Sequence, residues 1–152
     1  MENMFMIFEK IQEDVKIAMK EKNSEKLLAL RTLVSDIKNV GIRNGRKEPN
    51  DDDSTQALTK AIKQREDSAE QFKTGGRNEL AETELLQVSF FKVYMPEQMS
   101  EDEVRQIVSE TVQSLGATSK KEIGRVMKEL GPKVKGKTDM KLVNQILSGM
   151  LV

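Results

Sequence analysis

The chain has 152 residues, with 25 basic and 25 acidic side chains, so its formal net charge is zero. It contains no Cys and no His, which excludes disulfides, thiolate nucleophiles, the usual zinc sites and His-based acid–base catalysis. One third of the residues are charged and aromatic residues are scarce, but the apolar residues are regularly spaced. This pattern predicts a soluble, mostly helical protein with a modest core.

The first half of the chain predicts four helices from its apolar periodicity. They are expected at about 5–22, 24–41, 54–73 and 78–94, with Ser24 as a plausible cap of the second. The inward-facing residues of these helices are expected to include Phe8, Ile11, Met19, Leu28, Leu30, Leu58, Ile62, Leu80, Leu85 and Phe91. No apolar run is long enough to cross a membrane, and the short, acidic start is not typical of a signal peptide.

An acidic run, Asp51 to Asp53, follows the polar loop after the second helix. It could hold a cation, but the ligand spacing of an EF-hand is absent. Carboxylates are favoured at the positive end of a helix, so we interpret the run as a helix start.

The dipeptide Met95-Pro96 interrupts the helical pattern, because proline lacks a backbone donor and restricts the residue before it. We therefore predict an N-terminal helical subdomain over 1–95 and a C-terminal three-helix domain over 96–152. The predicted fold class is all-α, with N-terminal helical hairpins followed by a C-terminal three-helix bundle.

The second half contains clear signals for helix ends. Ser100 with Glu103, and Ser119 with Glu122, have the spacing of capping boxes, and Gly116 is expected to close the helix between them. Asp139 is expected to open the last helix.

Residues 131–138 read GPKVKGKT, which matches the phosphate-binding pattern GxxxxGK[ST]. That loop functions after a buried parallel strand, whereas the residues before Gly131 have helical apolar spacing. We therefore interpret Gly131 as the end of one helix, with Pro132 blocking its continuation. The nucleotide-hydrolase interpretation is rejected for lack of the strand.

The charge is unevenly distributed along this half. Residues 97–110 are mainly acidic and residues 120–141 are mainly basic, so a local field is expected although the total charge is zero. Lys133, Lys135 and Lys137 alternate with small or apolar residues between two helices. They could contact a phosphate backbone, or they could simply be solvated, and the residues alone do not decide between the two.

Gly124 lies inside a predicted helix, where glycine costs about 1 kcal/mol relative to alanine. Close approach of another helix, or of a ligand, would explain it. Helix packing is the favoured explanation. The paired carboxylates Glu101/Glu103 and Glu82/Glu84 are expected in exposed helix turns, whereas a catalytic pair needs a shared, partly buried site, so no catalytic residue, metal site or cofactor is assigned.

Several segments resemble the GatB/YqeY family: YMPEQMS at 94–100, IGRVM at 123–127, and PKVKGK at 132–137 followed by Asp139. In the first half, KQREDS at 63–68 with Phe72 resembles the free-standing YqeY-like proteins. Met95 and Met99 stand where the family usually has leucine.

The family includes the tail of the B subunit of the tRNA-dependent amidotransferase. The resemblance therefore implies an all-helical fold, a tail that meets tRNA, and a family label of carbon–nitrogen ligase with glutamine as amide donor. The chain is too short for the activation domain or the glutaminase of that enzyme. We expect a cytoplasmic, non-catalytic protein that binds tRNA or a tRNA-processing complex; the alternatives are a protein-interaction adaptor and an amidotransferase accessory. The expected nucleic-acid surface comprises Lys120, Lys121, Gly124, Lys133, Lys135, Gly136 and Lys137.

Overall fold

A computed structural model of the protein describes residues 6–152. Within that range it contains seven α-helices, one short 3₁₀ helix and no strand, which confirms the predicted all-α fold. The helices are α1 (Met6–Lys20), α2 (Ser24–Arg43), α3 (Asp51–Thr74), α4 (Asn78–Lys92), α5 (Glu101–Leu115), the 3₁₀ helix (Lys120–Glu122), α6 (Ile123–Val134) and α7 (Met140–Met150). The start predicted for α1, at Phe5, lies outside the described residues. No helix of residues 6–152 has the length and apolar character needed to cross a membrane.

The chain divides into two compact units, one ending at Met95 and the other spanning Pro96–Val152. The core of the first unit is formed by α1 to α4 and is centred on fully buried aliphatic and aromatic side chains. The largest of these are Ile11, Leu30, Leu33, Ile37, Leu58 and Phe91.

Four residues expected to face the core are exposed instead: Met19, Leu28, Leu80 and Leu85. Leu28 shows the reason. Its neighbour Leu27 is half-buried while Leu28 itself is 69% exposed. Consecutive residues of a helix point about 100° apart, and Leu28 falls outside the buried stripe that Leu30, Leu33 and Ile37 form. Apolar periodicity therefore predicted the helix correctly but did not predict which of its side chains are buried.

Helix α2 is capped one residue earlier than expected. The side chain of Asn23, not that of Ser24, accepts a hydrogen bond from the backbone N–H of Lys26 at 3.3 Å. Asn is as good a cap as Ser, and Asn23 is the residue whose backbone angles are non-helical, as those of a cap are.

Helix α3 begins at Asp51, which confirms that the acidic run starts a helix, although it does so three residues before the expected position. Asn50 is the cap, and a reciprocal capping box links it to Asp53: the Asp53 N–H donates to Asn50 at 2.9 Å, and the Asn50 N–H donates to Asp53 at 3.0 Å.

The second unit packs α5, α6 and α7 around an aliphatic core. Its fully buried members are Val104, Val108, Val126, Leu130, Val134, Val143 and Leu147. The Ser100 side chain caps α5 by accepting from the Glu103 N–H at 3.2 Å, and Gly116 ends the helix in the left-handed region at φ 64°. Both ends lie where the sequence predicted them, although only the Ser100 half of the predicted capping box is formed.

The predicted end of α6 at Gly131 is wrong. The helix continues through Gly131 and Pro132 to Val134. The apolar row Val126, Leu130 and Val134 is fully buried, and burying Val134 contributes roughly 1.5–3 kcal/mol, which is comparable to the ~3 kcal/mol cost of an interior proline. The Lys135 N–H also donates to the Gly131 carbonyl at 3.0 Å, so the last turn stays closed.

Candidate nucleic-acid interface

We use the name lysine loop for residues 133–138, which connect α6 to α7. Lys133 lies in the last helical turn of α6, Lys135 follows as its C-cap, and Lys137 lies in the turn that leads to α7. Gly136 has φ 74°, a conformation that glycine adopts without the strain of a Cβ. Lysines at this position also complement the negative end of the α6 dipole.

The backbone of the lysine loop is held by the segment that opens the second unit. The Met99 N–H donates to the Lys137 carbonyl at 2.8 Å. The side-chain amide of Gln98 donates to the Gly136 carbonyl at 2.9 Å and to the Pro96 carbonyl at 2.9 Å. The bonds to Gly136 and Lys137 join positions almost forty residues apart in sequence and fix the backbone from which the lysines project.

The lysine side chains are free of carboxylate partners. Lys133 Nζ reaches the hydroxyl of the buried Thr111 on α5 at 3.5 Å, at the limit of a hydrogen bond. Lys135 and Lys137 are exposed, and none of the three forms an ion pair with any residue in 6–152. Three unneutralised ammonium groups on one fixed turn suit contact with a polyanion.

The start of the acidic stretch lies next to this cationic turn. The acidic stretch of the sequence begins at Glu97, and the bonds from Gln98 and Met99 place it against the lysine loop. Two regions that are separate in sequence are therefore adjacent in the folded unit. Glu97 is exposed and directly precedes Gln98 in the chain. Since the Debye length is about 8 Å at physiological salt, we expect its charge to lower the positive potential of the loop.

The other three residues expected on the surface lie at the opposite end of α6. Lys120 and Lys121 are in the 3₁₀ helix and Gly124 is the second residue of α6. A helix of this length rises about 18 Å. The structure therefore does not bring Lys120, Lys121 and Gly124 together with the lysine loop.

The favoured explanation of Gly124 by helix packing is wrong. A Cβ built at Gly124 would have no heavy atom within 4 Å among its non-local neighbours. The glycine is exposed, so neither a second helix nor a tight turn of the described chain requires it.

The start of α6 is organised by Glu122 instead. Its carboxylate accepts from the backbone N–H groups of Thr118 at 2.8 Å and Ser119 at 3.1 Å, and pairs with Arg125 at 2.8 Å. The backbone hydrogen bonds from Thr118 and Ser119, together with the charge of Arg125, lower the pKa of Glu122. The predicted Ser119–Glu122 capping box is present, although it opens a 3₁₀ turn before α6.

The structure confirms that residues 131–138 lack the context of a phosphate-binding loop. Residues 131–134 are the last turn of α6, and no strand exists within residues 6–152. At the start of α7 the Asp139 carboxylate accepts from the Lys141 N–H at 2.9 Å, so a protein carboxylate occupies a donor that a phosphate would need. No group of three or more acidic residues in the described chain is arranged to hold a metal ion.

Sequence reasoning missed the part played by Gln98 and Met99 in positioning the lysine loop. The residue types Gln and Met do not signal these hydrogen bonds, because the acceptors are backbone carbonyls that are distant in sequence. Only the packing of α5 against α6 and α7 brings the two segments together.

Comparison with known proteins gives the family of the chain. No curated protein matches it significantly. The family model described as Yqey-like protein matches residues 8–151. Since the match spans nearly the whole sequence, including both units, the chain belongs to the Yqey-like protein family.

Proposed function

We propose that the protein is a non-catalytic helical module that binds tRNA, or a complex that processes tRNA, through the lysine loop. The observation that carries the proposal is the set of three unpaired lysines on a backbone pinned by Gln98 and Met99. Phosphate contacts of this kind release condensed counterions, which gives affinity without base recognition. No aromatic side chain occurs within residues 131–141 to stack on a base.

The resemblance of the second unit to the tail of the amidotransferase B subunit supports tRNA as the polyanion. The same resemblance carries the label of a glutamine-dependent carbon–nitrogen ligase. We propose no amide transfer by this chain alone, because no pair of carboxylates is assigned as a catalytic acid and base.

The test is tRNA binding by fluorescence anisotropy across a salt series, with Lys133, Lys135 and Lys137 changed together to Gln. Gln keeps most of each aliphatic stem and removes the charge, so the fold should be retained. We expect weaker binding and a log–log salt slope shallower by about two to three, because each lost phosphate contact removes roughly 0.7–0.9 from the slope.

A matched control changes the exposed lysines Lys16, Lys20 and Lys38 to Gln, which removes the same charge from the first unit. It should bind tRNA nearly as well as the unchanged protein. Equal losses in the two triple variants, or an unchanged slope in the first, would remove the lysine loop from the binding surface.

A second candidate function is a protein-interaction adaptor for an amidotransferase-like assembly. It is favoured by the adjacency of the acidic segment and the lysine loop, since a surface with both signs of charge suits a protein partner with the complementary pattern. Capture from nuclease-treated extract separates the candidates. A partner retained after nuclease, and lost with the lysine-loop variant, would support the adaptor over tRNA binding.

A further inference from the structure

The dipeptide Asn44-Gly45 lies where the chain leaves α2, and both of its residues are exposed. No other asparagine of the sequence precedes a glycine. Asparagine before glycine is especially prone to spontaneous deamidation, because glycine has no Cβ to shield its backbone nitrogen from the asparagine side chain. The dipeptide belongs to the first unit and is separate from the lysine loop.

Deamidation needs no reactant besides water. The Gly45 backbone nitrogen attacks Cγ of the Asn44 side chain, the Cγ–Nδ2 bond breaks, and ammonia leaves with the proton of the Gly45 nitrogen. Water then opens the resulting succinimide ring. Attack at the side-chain carbonyl gives aspartate, and attack at the main-chain carbonyl gives isoaspartate. In both products a neutral amide that could donate has become a carboxylate, which only accepts hydrogen bonds.

The folded protein holds the leaving group of this reaction. Asn44 Nδ2 donates to Asp53 Oδ1 at 2.7 Å and lies 3.5 Å from Gln56 Oε1. Asp53 is fully buried and is also paired with Arg46 Nη1 at 2.7 Å. A carboxylate cannot donate, so the Asn44 amide presents its nitrogen to Asp53. The amide therefore leaves this site only when the hydrogen bonds around Asp53 loosen.

The fold also holds the nucleophile. The Gly45 N–H donates to the Ile42 carbonyl at 3.0 Å, and the Arg46 N–H donates to the Gly41 carbonyl at 2.8 Å. Asn44 has ψ 7°, so the Gly45 nitrogen nearly eclipses the backbone nitrogen of Asn44. Ring closure requires the Gly45 nitrogen to lie beside Cβ of Asn44 instead. A large rotation about ψ, and loss of the bond to Ile42, must come before the reaction.

We use the name α2–α3 joint for residues 44–53. We propose that Asn44 is a deamidation site gated by the hydrogen bonds of the α2–α3 joint, and that its product holds the joint open. Local opening releases the amide and the nucleophile together. The new carboxylate at position 44 then faces Asp53 in place of a donor, and like charges at that distance repel.

The change reaches the start of α3. Asp53 also completes the capping box of that helix, since its Oδ2 accepts from the Asn50 N–H at 3.0 Å. Repulsion that displaces Asp53 therefore weakens the cap as well as the pair with Arg46. Because ammonia is lost to solvent, the modified joint does not return to its first state by itself.

The first test compares rates of deamidation. The full chain is kept at mildly alkaline pH, folded or in guanidinium chloride, and peptide mapping by mass spectrometry follows the modified fraction at Asn44. The folded protein should react at least about tenfold more slowly, since only its locally opened fraction reacts. Arg46→Ala should accelerate the folded-state reaction by about threefold to tenfold, because a bond that holds the joint is lost.

Two variants are the controls for Arg46→Ala. Lys47→Ala removes the next cation of the chain, which is exposed, and should change the rate less than about twofold. Tyr94→Phe removes a hydrogen bond to Asp14 elsewhere in the same unit. It should accelerate the reaction less than Arg46→Ala does, because the reaction follows opening of the joint and not unfolding of the whole unit.

The second test measures the effect of the product. Asn44→Asp supplies the new charge without the reaction and should lower the melting temperature by at least about 4 °C. Asn44→Ala removes only the donor and should lower it less. Asn39→Asp adds the same charge at an exposed position of α2 and should shift it by less than about 2 °C.

The outcomes separate the two parts of the proposal. Equal rates in the folded and denatured protein, or a rate in Lys47→Ala or Tyr94→Phe that equals the rate in Arg46→Ala, would overturn gating by the joint. Equal melting temperatures for Asn44→Asp and Asn44→Ala would overturn the opening by charge. Neither test involves the lysine loop, so both stand apart from the proposal of tRNA binding.

Discussion

Asp53 is a fully buried carboxylate at the start of α3, and its oxygens are satisfied by three neighbours. Arg46 Nη1 and Asn44 Nδ2 each donate to Oδ1 at 2.7 Å, and the Asn50 N–H donates to Oδ2 at 3.0 Å. A buried charge costs several kcal/mol unless it is paired and hydrogen-bonded. The loop before α3 is therefore held around this single side chain.

We expect Arg46→Ala to lower the free energy of unfolding by about 1–3 kcal/mol, because it leaves a buried carboxylate without its cation. Urea denaturation measures the change. Lys47→Ala, at an exposed neighbour without an ion pair to a described residue, is the control and should have little effect. Similar losses for the two variants would contradict the role given to Arg46.

Tyr94 and Asp14 form a second polar link within the first unit. Tyr94 follows Val93, the C-cap of α4, and Asp14 lies on α1. The Tyr94 hydroxyl donates to Asp14 Oδ2 at 2.5 Å, and Lys10 Nζ contacts Asp14 Oδ1 at 3.1 Å. Burial and the hydrogen bond to the Asp14 carboxylate raise the pKa of Tyr94. Burial also raises the pKa of Asp14, but the bonds from Tyr94 and Lys10 outweigh it, so the net pKa is lowered.

The raised pKa of Tyr94 predicts alkaline destabilisation. Its contribution to stability is fully present below the ordinary tyrosine pKa of 10.0 and is lost as the pH rises further. Phenolate absorbance reports this directly, because the chain has one Tyr and no Trp. We expect the folded protein to show phenolate only at higher pH than the urea-unfolded protein; coincident titrations would contradict this.

Tyr94→Phe removes the donor to Asp14 and should cost about 1–2 kcal/mol near neutral pH. The lowered pKa of Asp14 means that its contribution is present above the ordinary value of 3.8 and is lost as the pH falls below it. The cost of Tyr94→Phe should therefore shrink in acid. Chemical denaturation at neutral pH and near pH 3 measures it, and a cost that does not depend on pH would contradict the link.

At the scale of the element, α6 shows how packing overrides local signals. Its sequence contains Gly124, Gly131 and Pro132, yet the helix runs from Ile123 to Val134. The three buried residues Val126, Leu130 and Val134 lie on one face and anchor it to the core of the second unit. A Cβ built at Gly124 or at Gly131 would meet no heavy atom within 4 Å among its non-local neighbours, so close packing does not require glycine at either position.

Gly124→Ala should therefore stabilise the protein by roughly 0.5 kcal/mol, since alanine favours the helix and its Cβ meets open space. Gly41→Ala is the contrasting variant. Its Cβ would lie 3.3 Å from both the Cα and Cβ of Pro49, so it should destabilise by about 1 kcal/mol through overpacking. The urea midpoints of the two variants measure both changes. A loss of stability in Gly124→Ala would contradict the open space that surrounds Gly124 in the structure.

At the scale of the whole molecule, zero net charge conceals a local arrangement of both signs. Within the second unit, the acidic segment that begins at Glu97 is fixed beside the lysine loop by the bonds of Gln98 and Met99. Local potential, and not total charge, decides whether a polyanion approaches this face.

Glu97→Gln should accordingly increase the affinity of the lysine loop for tRNA by about twofold to fivefold at low salt, because one nearby exposed charge contributes up to about 1 kcal/mol. The gain should vanish at about 1 M salt, where the Debye length is near 3 Å. Anisotropy titrations at both salt concentrations measure it. Unchanged affinity at low salt would place the bound RNA away from this turn.

The sequence by itself determined the all-α fold, the starts of α2, α4, α5 and α7 to within about one residue, and the end of α5 at Gly116. These features depend on neighbours within one or two turns, so periodicity and capping chemistry report them. The same local logic correctly predicted that the residues before Gly131 form a helix and not a strand.

Only the tertiary structure decided the exposed face of α2 and α4, the continuation of α6 past Pro132, and the surroundings of Gly124. It alone placed Gln98 against Gly136. The physical reason is common to all of these. Each is set by a balance of burial and hydrogen bonding between segments distant in the chain, which local propensity does not contain.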